Sequence, residues 1–130
     1  MGWEEIEIGA PGPGQVLIRN TAVGLNFIDV YYRCGLYPLP LPAAIGMEGA
    51  GVVEAVGPKV KEFKVGDRVV AYAIGSYAER CIAPADRLVK IPAGISDQQA
   101  AAMMLKGMTA QYLIRRTHRV KAGETILVHA

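Results

Sequence analysis

The sequence has few cysteines, few histidines and little net charge. Its two cysteines, Cys34 and Cys81, lie in unrelated contexts without metal-ligand spacing, so we expect reduced thiols. A formal net charge of +2, and no stretch that interleaves basic with aromatic residues, argue against a nucleic-acid surface. No run approaches the ~18 apolar residues of a membrane span, and the first residues lack the basic start of a signal peptide. We therefore expect a cytoplasmic protein that binds neither nucleic acid nor membrane.

What the sequence does contain is enough apolar residues for one compact core, 52% of 130 residues. Residues 15–25 alternate in polarity, as a strand with one buried face does. Further short strands, separated by turn residues, are expected at 50–57, 67–74, 76–83 and 86–91. This spacing favours a mainly β fold with short helices, arranged as a small and mostly antiparallel barrel.

Two parts of the chain are predicted to be helical. Residues 26–35 have Asn26 as an N-cap and Gly35 as a left-handed end. Residues 96–99 form a capping box, and the apolar residues 100–105 that follow predict a buried helix. We expect Gly107 to separate this helix from a second one that ends near residues 116–117.

The last residues, 125–130, form a continuous apolar run that predicts a strand buried on both faces of a parallel sheet. Nothing in the sequence would cover such a strand, so we expect the chain to be part of a longer protein. The predicted division is a domain at 1–95, followed at 96–130 by linking helices and this strand.

A glycine-rich segment, residues 46–53, leads into a second strand entered through residues 64–70. This order resembles the signature of the medium-chain dehydrogenase/reductase family, in its GroES-like domain. Zinc-dependent members carry a histidine where this chain has Met47. A thioether is not among the usual ligands of Zn²⁺, so this position indicates the zinc-free branch.

Within that family, the chain is most similar to the zinc-free quinone oxidoreductases of the zeta-crystallin type. The similarity lies in residues 24–33, 35–38 and 105–113. Asn26 stands where zinc-dependent relatives have a cysteine ligand, and the lobe with four cysteines, due between 73 and 83, is missing. The resemblance implies a GroES-like small barrel and the first strand of a truncated Rossmann domain. It also implies about one further strand before residues 3–8.

The resemblance implies hydride transfer from NADPH to a quinone or similar conjugated carbonyl, in a protein that is a homodimer when intact. These 130 residues alone would be inactive, because the glycine-rich phosphate loop follows the last strand in the family. One alternative is a zinc-free reductase of enones or enoyl thioesters. Another is a GroES-like module that acts without catalysis, through protein contacts.

Without a metal, the acceptor oxygen must be polarised by hydrogen-bond donors. The catalytic candidates are Asn26, Tyr31 and Tyr37. The resemblance places the following residues beside the cofactor: Phe27, Ile28, Asp29, Val30, Tyr31, Lys106 and Thr109.

Structural roles compete with several of these assignments. Asn26 is as good an N-cap as a catalytic amide, and Asp29 in the first turn suits the helix dipole better than acid catalysis. Lys106 could equally be a solvated lysine at a helix end, and Thr109 could bond back to its own helix. Glu48, after the lost zinc ligand, is expected to be buried with an arginine partner.

Overall fold

The computed structural model describes residues 2–129, in which a five-stranded antiparallel sheet carries two α-helices. The strands lie in the order β4-β1-β2-β3-β5. The strand bounds are β1 Gln15–Gly24, β2 Glu48–Val56, β3 Arg68–Tyr72, β4 Arg80–Pro84 and β5 Leu88–Lys90. The helices are α1 Phe27–Arg33 and α2 Asp97–Gln111. The predicted fold class, mainly β with short helices, is confirmed.

Strand β1 has the alternating burial that its sequence predicts. Val16 and Ile18 are fully buried, whereas Arg19, Thr21 and Val23 on the other face are exposed. The buried face contributes to the larger hydrophobic cluster, which gathers residues from all five strands and from the loops before and after β3. The position of this core follows from the period of two in the sequence.

Strand β3 is buried on both faces. Val69 and Ala71 belong to the larger cluster, whereas Val70 between them packs on the opposite face with Ala100 and Ala101 of α2. Successive side chains of a strand point to opposite faces, so an unbroken apolar run is what a strand between two layers requires. Helix α2 thus forms a second layer on the sheet.

Helix α2 differs from its prediction in two respects. It runs without interruption through Gly107 and continues as a π-helical segment, Tyr112–Thr117, so the predicted break is wrong, whereas the predicted capping box and the end near residues 116–117 are confirmed. Ala100 and Ala101 are buried, but Met103 is 60% exposed. A helix lying on a sheet buries one side, and nothing within residues 2–129 covers the other. No helix of the described chain is both long and apolar enough to span a bilayer.

The predictions for two strands need correction. Residues 77–79 form bends, and the strand begins only at Arg80, because the amides of Gly75 and Ser76 donate to the Gly46 carbonyl. Residues 125–129 form no strand, and Leu127 is 81% exposed. A strand needs a neighbour for its hydrogen bonds, and the described residues offer this segment none. Ala130 lies outside those residues.

Candidate active site

A buried ion pair joins the start of β2 to α2. Glu48 is fully buried, and its Oε1 lies 3.1 Å from the Nζ of Lys106. Its second oxygen accepts from the backbone amide of Leu105. The predicted arginine partner is therefore wrong: the counter-ion is Lys106, which reaches Glu48 from the helix packed on that face of the sheet. A buried carboxylate requires such a partner.

The same ammonium group holds the residue that begins α1. Lys106 Nζ donates to Asn26 Oδ1 at 2.9 Å and to the Leu25 carbonyl at 3.1 Å. Asn26 is the N-cap of α1, as its sequence predicts, and its backbone amide donates to Asp29 Oδ2 at 2.9 Å. The side-chain Nδ2 of Asn26 is buried and has no partner among the described residues. Asn26 thus combines a capping position with an unused donor.

Asp29 is fixed from the opposite side by a loop residue. It is 2% exposed and accepts from the hydroxyl of Tyr77 at 2.9 Å. Burial, together with this hydrogen bond to the carboxylate, raises the pKa of Tyr77 to about 12. Gly46 packs so closely on the Tyr77 ring that a Cβ there would overlap it. Gly46 therefore helps to position the Tyr77 ring, and Tyr77, through its hydrogen bond to Asp29, helps to position α1.

An aromatic cluster lies on α1 and the turn after it. The rings of Tyr31 and Tyr37 meet edge to face with centroids 5.4 Å apart, and Tyr32 meets Tyr37 in the same way at 5.9 Å. Phe27 stacks on Tyr31 at 6.5 Å and is 77% exposed. Tyr31 and Tyr32 are both only half-buried. The cluster offers an exposed apolar surface bordered by phenolic hydroxyls.

The remaining candidates lie at the edges of this site. Ile28 and Val30 are half-buried on α1. Thr109 is exposed, and its hydroxyl donates to the Leu105 carbonyl one turn earlier at 2.8 Å, as its structural interpretation predicts. Its oxygen retains lone pairs that can accept a hydrogen bond. The structure therefore brings Asn26, Asp29 and Lys106 together and leaves Thr109 one turn away on α2.

The two positions where the resemblance implies zinc ligands in zinc-dependent relatives hold other groups. Met47 is buried, and the Asn26 oxygen is occupied by Lys106. Within residues 2–129, no three His, Cys, Asp or Glu side chains come together as a metal site. Cys34 and Cys81 are both free, and burial raises the pKa of the Cys81 thiol.

Sequence reasoning missed Tyr77 and gave Glu48 the wrong partner. The hydroxyl of Tyr77 and the carboxylate of Asp29 are 48 residues apart in the chain, and no local pattern signals that contact. Lys106 lies 58 residues after Glu48, and the exposed Lys106 side chain resembles any solvated lysine. The one sequence signal for this ion pair was that a buried carboxylate in β2 requires a cation from a neighbouring element.

Chemically, the site can bind a flat, partly apolar molecule that carries a carbonyl oxygen. The aromatic cluster supplies the apolar surface, and Tyr31, Tyr37 and Asn26 supply donors.

Comparison with known proteins shows which family the chain belongs to. The family of the alcohol dehydrogenase GroES-like domain matches residues 12–122. The chain is 55% identical to the quinone oxidoreductase of Pseudomonas aeruginosa over 98% of its own length and 40% of that protein. It is 49% identical to the 2-haloacrylate reductase of a Burkholderia species, over 98% of its length and 41% of that protein.

Among solved structures, the quinone oxidoreductase of Escherichia coli complexed with NADPH matches with a TM-score of 0.88 at 45% identity. The match covers 91% of this chain and 37% of that one. The chain therefore spans about 40% of the length of the relatives that it matches.

Proposed function

The chain belongs to the alcohol dehydrogenase GroES-like domain family, within the medium-chain dehydrogenases/reductases, and on that premise we propose that the whole protein is an NADPH-dependent quinone oxidoreductase. The described residues would form the side of the cleft that receives the acceptor. Support comes from the similarity to quinone oxidoreductases over almost the entire chain. The activity is assigned to the whole protein, because these residues span about 40% of the relatives' length.

One observation carries the proposal: the donors and the aromatic surface of α1 lie side by side. Tyr31 and Tyr37 are in edge-to-face contact, and the Tyr37 amide donates to the Tyr31 carbonyl at 3.2 Å, which fixes the turn after the helix. Asn26, at the start of the same helix, has an Nδ2 without a partner in the described part of the chain. A planar quinone needs both an apolar surface and donors for its oxygens.

NADPH, when bound, supplies a hydride, and the acceptor takes a proton from water to complete its reduction. The residues that would border the nicotinamide end are Phe27 and its neighbours on α1, with Thr109 on α2. They fit this group because Phe27 is 77% exposed and Thr109 retains acceptor capacity. Asn26, Tyr31 and Tyr37 would bind the acceptor oxygen and stabilise the charge that develops there.

A second candidate is reduction of a carbon–carbon double bond conjugated to a carboxylate or carbonyl. The observation that favours it is the 49% identity to a 2-haloacrylate reductase over 98% of the chain. Both candidates use the same hydride source and a polarised oxygen, so they share the site described above.

A panel of acceptors separates the two candidates. The full-length protein, incubated with NADPH, should oxidise it rapidly with 1,4-benzoquinone and slowly with 2-chloroacrylate. The opposite preference would establish the second candidate. No oxidation with either acceptor would refute both.

We also propose that the whole protein is a cytoplasmic homodimer. The support is its similarity to quinone oxidoreductases together with an apolar surface on α2 and the segment after it, where Met103 and Tyr112 are 60% and 58% exposed. Analytical ultracentrifugation of the full-length protein tests the assembly, and a monomeric mass would contradict it.

A further inference from the structure

All three N–H groups of the Lys106 ammonium donate hydrogen bonds to other groups of the chain. An ammonium has three N–H donors and no acceptor. In this structure it donates to the Leu25 carbonyl, to Asn26 Oδ1 and to Glu48 Oε1, at distances of 2.9–3.1 Å. No N–H of Lys106 therefore remains for a ligand, and any effect of Lys106 on a ligand must pass through one of these three groups.

One of the three contacts determines how the Asn26 amide is oriented. Because an ammonium can only donate, the amide atom that it contacts must be the oxygen. A half-turn of the amide would bring its NH₂ group against the ammonium and lose the 2.9 Å hydrogen bond. The Nδ2 end is consequently the one that lacks a partner among the described residues.

Glu48 keeps the ammonium in place. Its carboxylate is fully buried and is itself anchored by the Leu105 amide of the helix that carries Lys106. The pair therefore cannot separate without leaving a buried charge unpaired, which proteins strongly avoid. Lys106, whose side chain is 53% exposed, is tied down by a carboxylate that is not exposed at all.

We propose that Glu48 and Lys106 are positioning residues for Asn26, which they orient so that its Nδ2 donates to a carbonyl oxygen of a bound ligand. The proposal rests on the proposed function. A buried donor without a partner costs free energy, and a ligand oxygen removes that cost. The chain neighbours Leu25 and Phe27 are 71% and 77% exposed, so the surface beside the buried amide is open to a ligand.

Two ligands offer such an oxygen: the acceptor carbonyl and the carboxamide of the nicotinamide ring. The test uses the full-length protein and three variants: Lys106→Met, Glu48→Gln and, as a matched control, Lys90→Met. Lys90 is also paired with a carboxylate, Asp67 at 2.9 Å, and its side chain is 54% exposed, but it lies on β5 away from Asn26. Thermal unfolding establishes that each variant is folded.

The readouts are the Kd for NADPH, from fluorescence titration, and kcat with 1,4-benzoquinone. If Asn26 serves the carboxamide, Lys106→Met should weaken NADPH binding by about tenfold or more. If Asn26 serves the acceptor, kcat should fall by about tenfold or more with the Kd unchanged. In both cases Glu48→Gln should shift the affected readout in the same direction as Lys106→Met. Lys90→Met should keep the wild-type Kd and kcat.

The proposal is overturned if Lys106→Met and Glu48→Gln, once folded, match Lys90→Met in both readouts. Should Lys106→Met fail to fold, the outcome is decided on Glu48→Gln, which keeps the size of the side chain. A wild-type protein that binds NADPH but does not reduce the quinone would refute the proposed function. The titration would still test the positioning of Asn26 in that case.

Discussion

The hydroxyl of Tyr77 donates to Asp29 Oδ2 at 2.9 Å and so connects the loop after β3 to the first turn of α1. The same carboxylate oxygen accepts from the backbone amide of Asn26, the residue that begins the helix. A loop residue therefore helps to fix the helix on which most of the candidate site lies.

Replacing Tyr77 by phenylalanine removes this hydrogen bond and leaves the carboxylate of Asp29 with one fewer donor. We expect the free energy of unfolding to fall by about 1–3 kcal/mol, since the acceptor is buried and ionisable. Urea denaturation measures the change. Tyr72→Phe is the control, because Tyr72 is half-buried but its hydroxyl makes no hydrogen bond within residues 2–129. Equal stabilities of the two variants would contradict the expectation.

The raised pKa of Tyr77 predicts that the stability of the fold decreases at alkaline pH. Its pKa is raised from 10.0 to about 12, mainly by burial, so the folded protein holds this proton more tightly than the unfolded chain does. The associated stability is complete below pH 10.0 and is lost as the pH rises towards about 12. The Tyr77→Phe variant should lose less stability over this range than the wild type. The free energy of unfolding is measured with urea at several pH values. If it fell equally with pH in the wild type and in Tyr77→Phe, the raised pKa of Tyr77 would be contradicted.

The lowered pKa of Asp97 predicts that the stability of the fold decreases at acidic pH. A hydrogen bond from the Thr21 hydroxyl, followed by those from Arg68, holds the pKa of Asp97 below its ordinary value of 3.8. A lowered pKa gives stability that is present above 3.8 and is lost as the pH falls through the folded value. Asp97→Asn should therefore be less stable than the wild type at about pH 7, and the difference should shrink by about pH 3. Thermal melts at both values measure it.

Gly24 lies where the end of β1 packs directly against α2. A Cβ there would overlap the carbonyl oxygen of Ala101 and the carboxylate of Glu48. Gly24→Ala should destabilise the protein by about 1–3 kcal/mol, because neither backbone nor ion pair can move freely. Gly9→Ala is the matched control, since a Cβ at Gly9 meets no atom within 4 Å. A Gly24→Ala variant as stable as this control in urea would show that α2 can shift.

Tyr37 tests the proposed binding of the acceptor. Tyr37→Phe in the full-length protein should lower kcat/KM for 1,4-benzoquinone by about tenfold, through loss of one donor to the oxygen. Stability should change little, because Tyr37 is 45% exposed. Tyr112→Phe, which is 58% exposed on the segment after α2, serves as the control. If both variants keep wild-type kcat/KM, Tyr37 is not a donor to the acceptor.

Much of the fold could be predicted because the signals are local. The alternation in β1, the N-cap at Asn26 and the capping box of Ser96 and Gln99 all depend on residues a few positions apart. The errors arose where a distant element decides the outcome. Gly107 does not interrupt α2, since packing on the sheet outweighs a propensity cost of about 1 kcal/mol.

The same division applies to the candidate site. The sequence by itself predicted α1 and made its aromatic residues and Asn26 candidates, because each belongs to a local motif, and the family resemblance implied that Met47 stands at a zinc-ligand position. Only the tertiary structure paired Glu48 with Lys106 and Asp29 with Tyr77, across 58 and 48 residues of chain. A buried carboxylate requires a partner, but the order of the strands and the packing of α2 decide which residue supplies it.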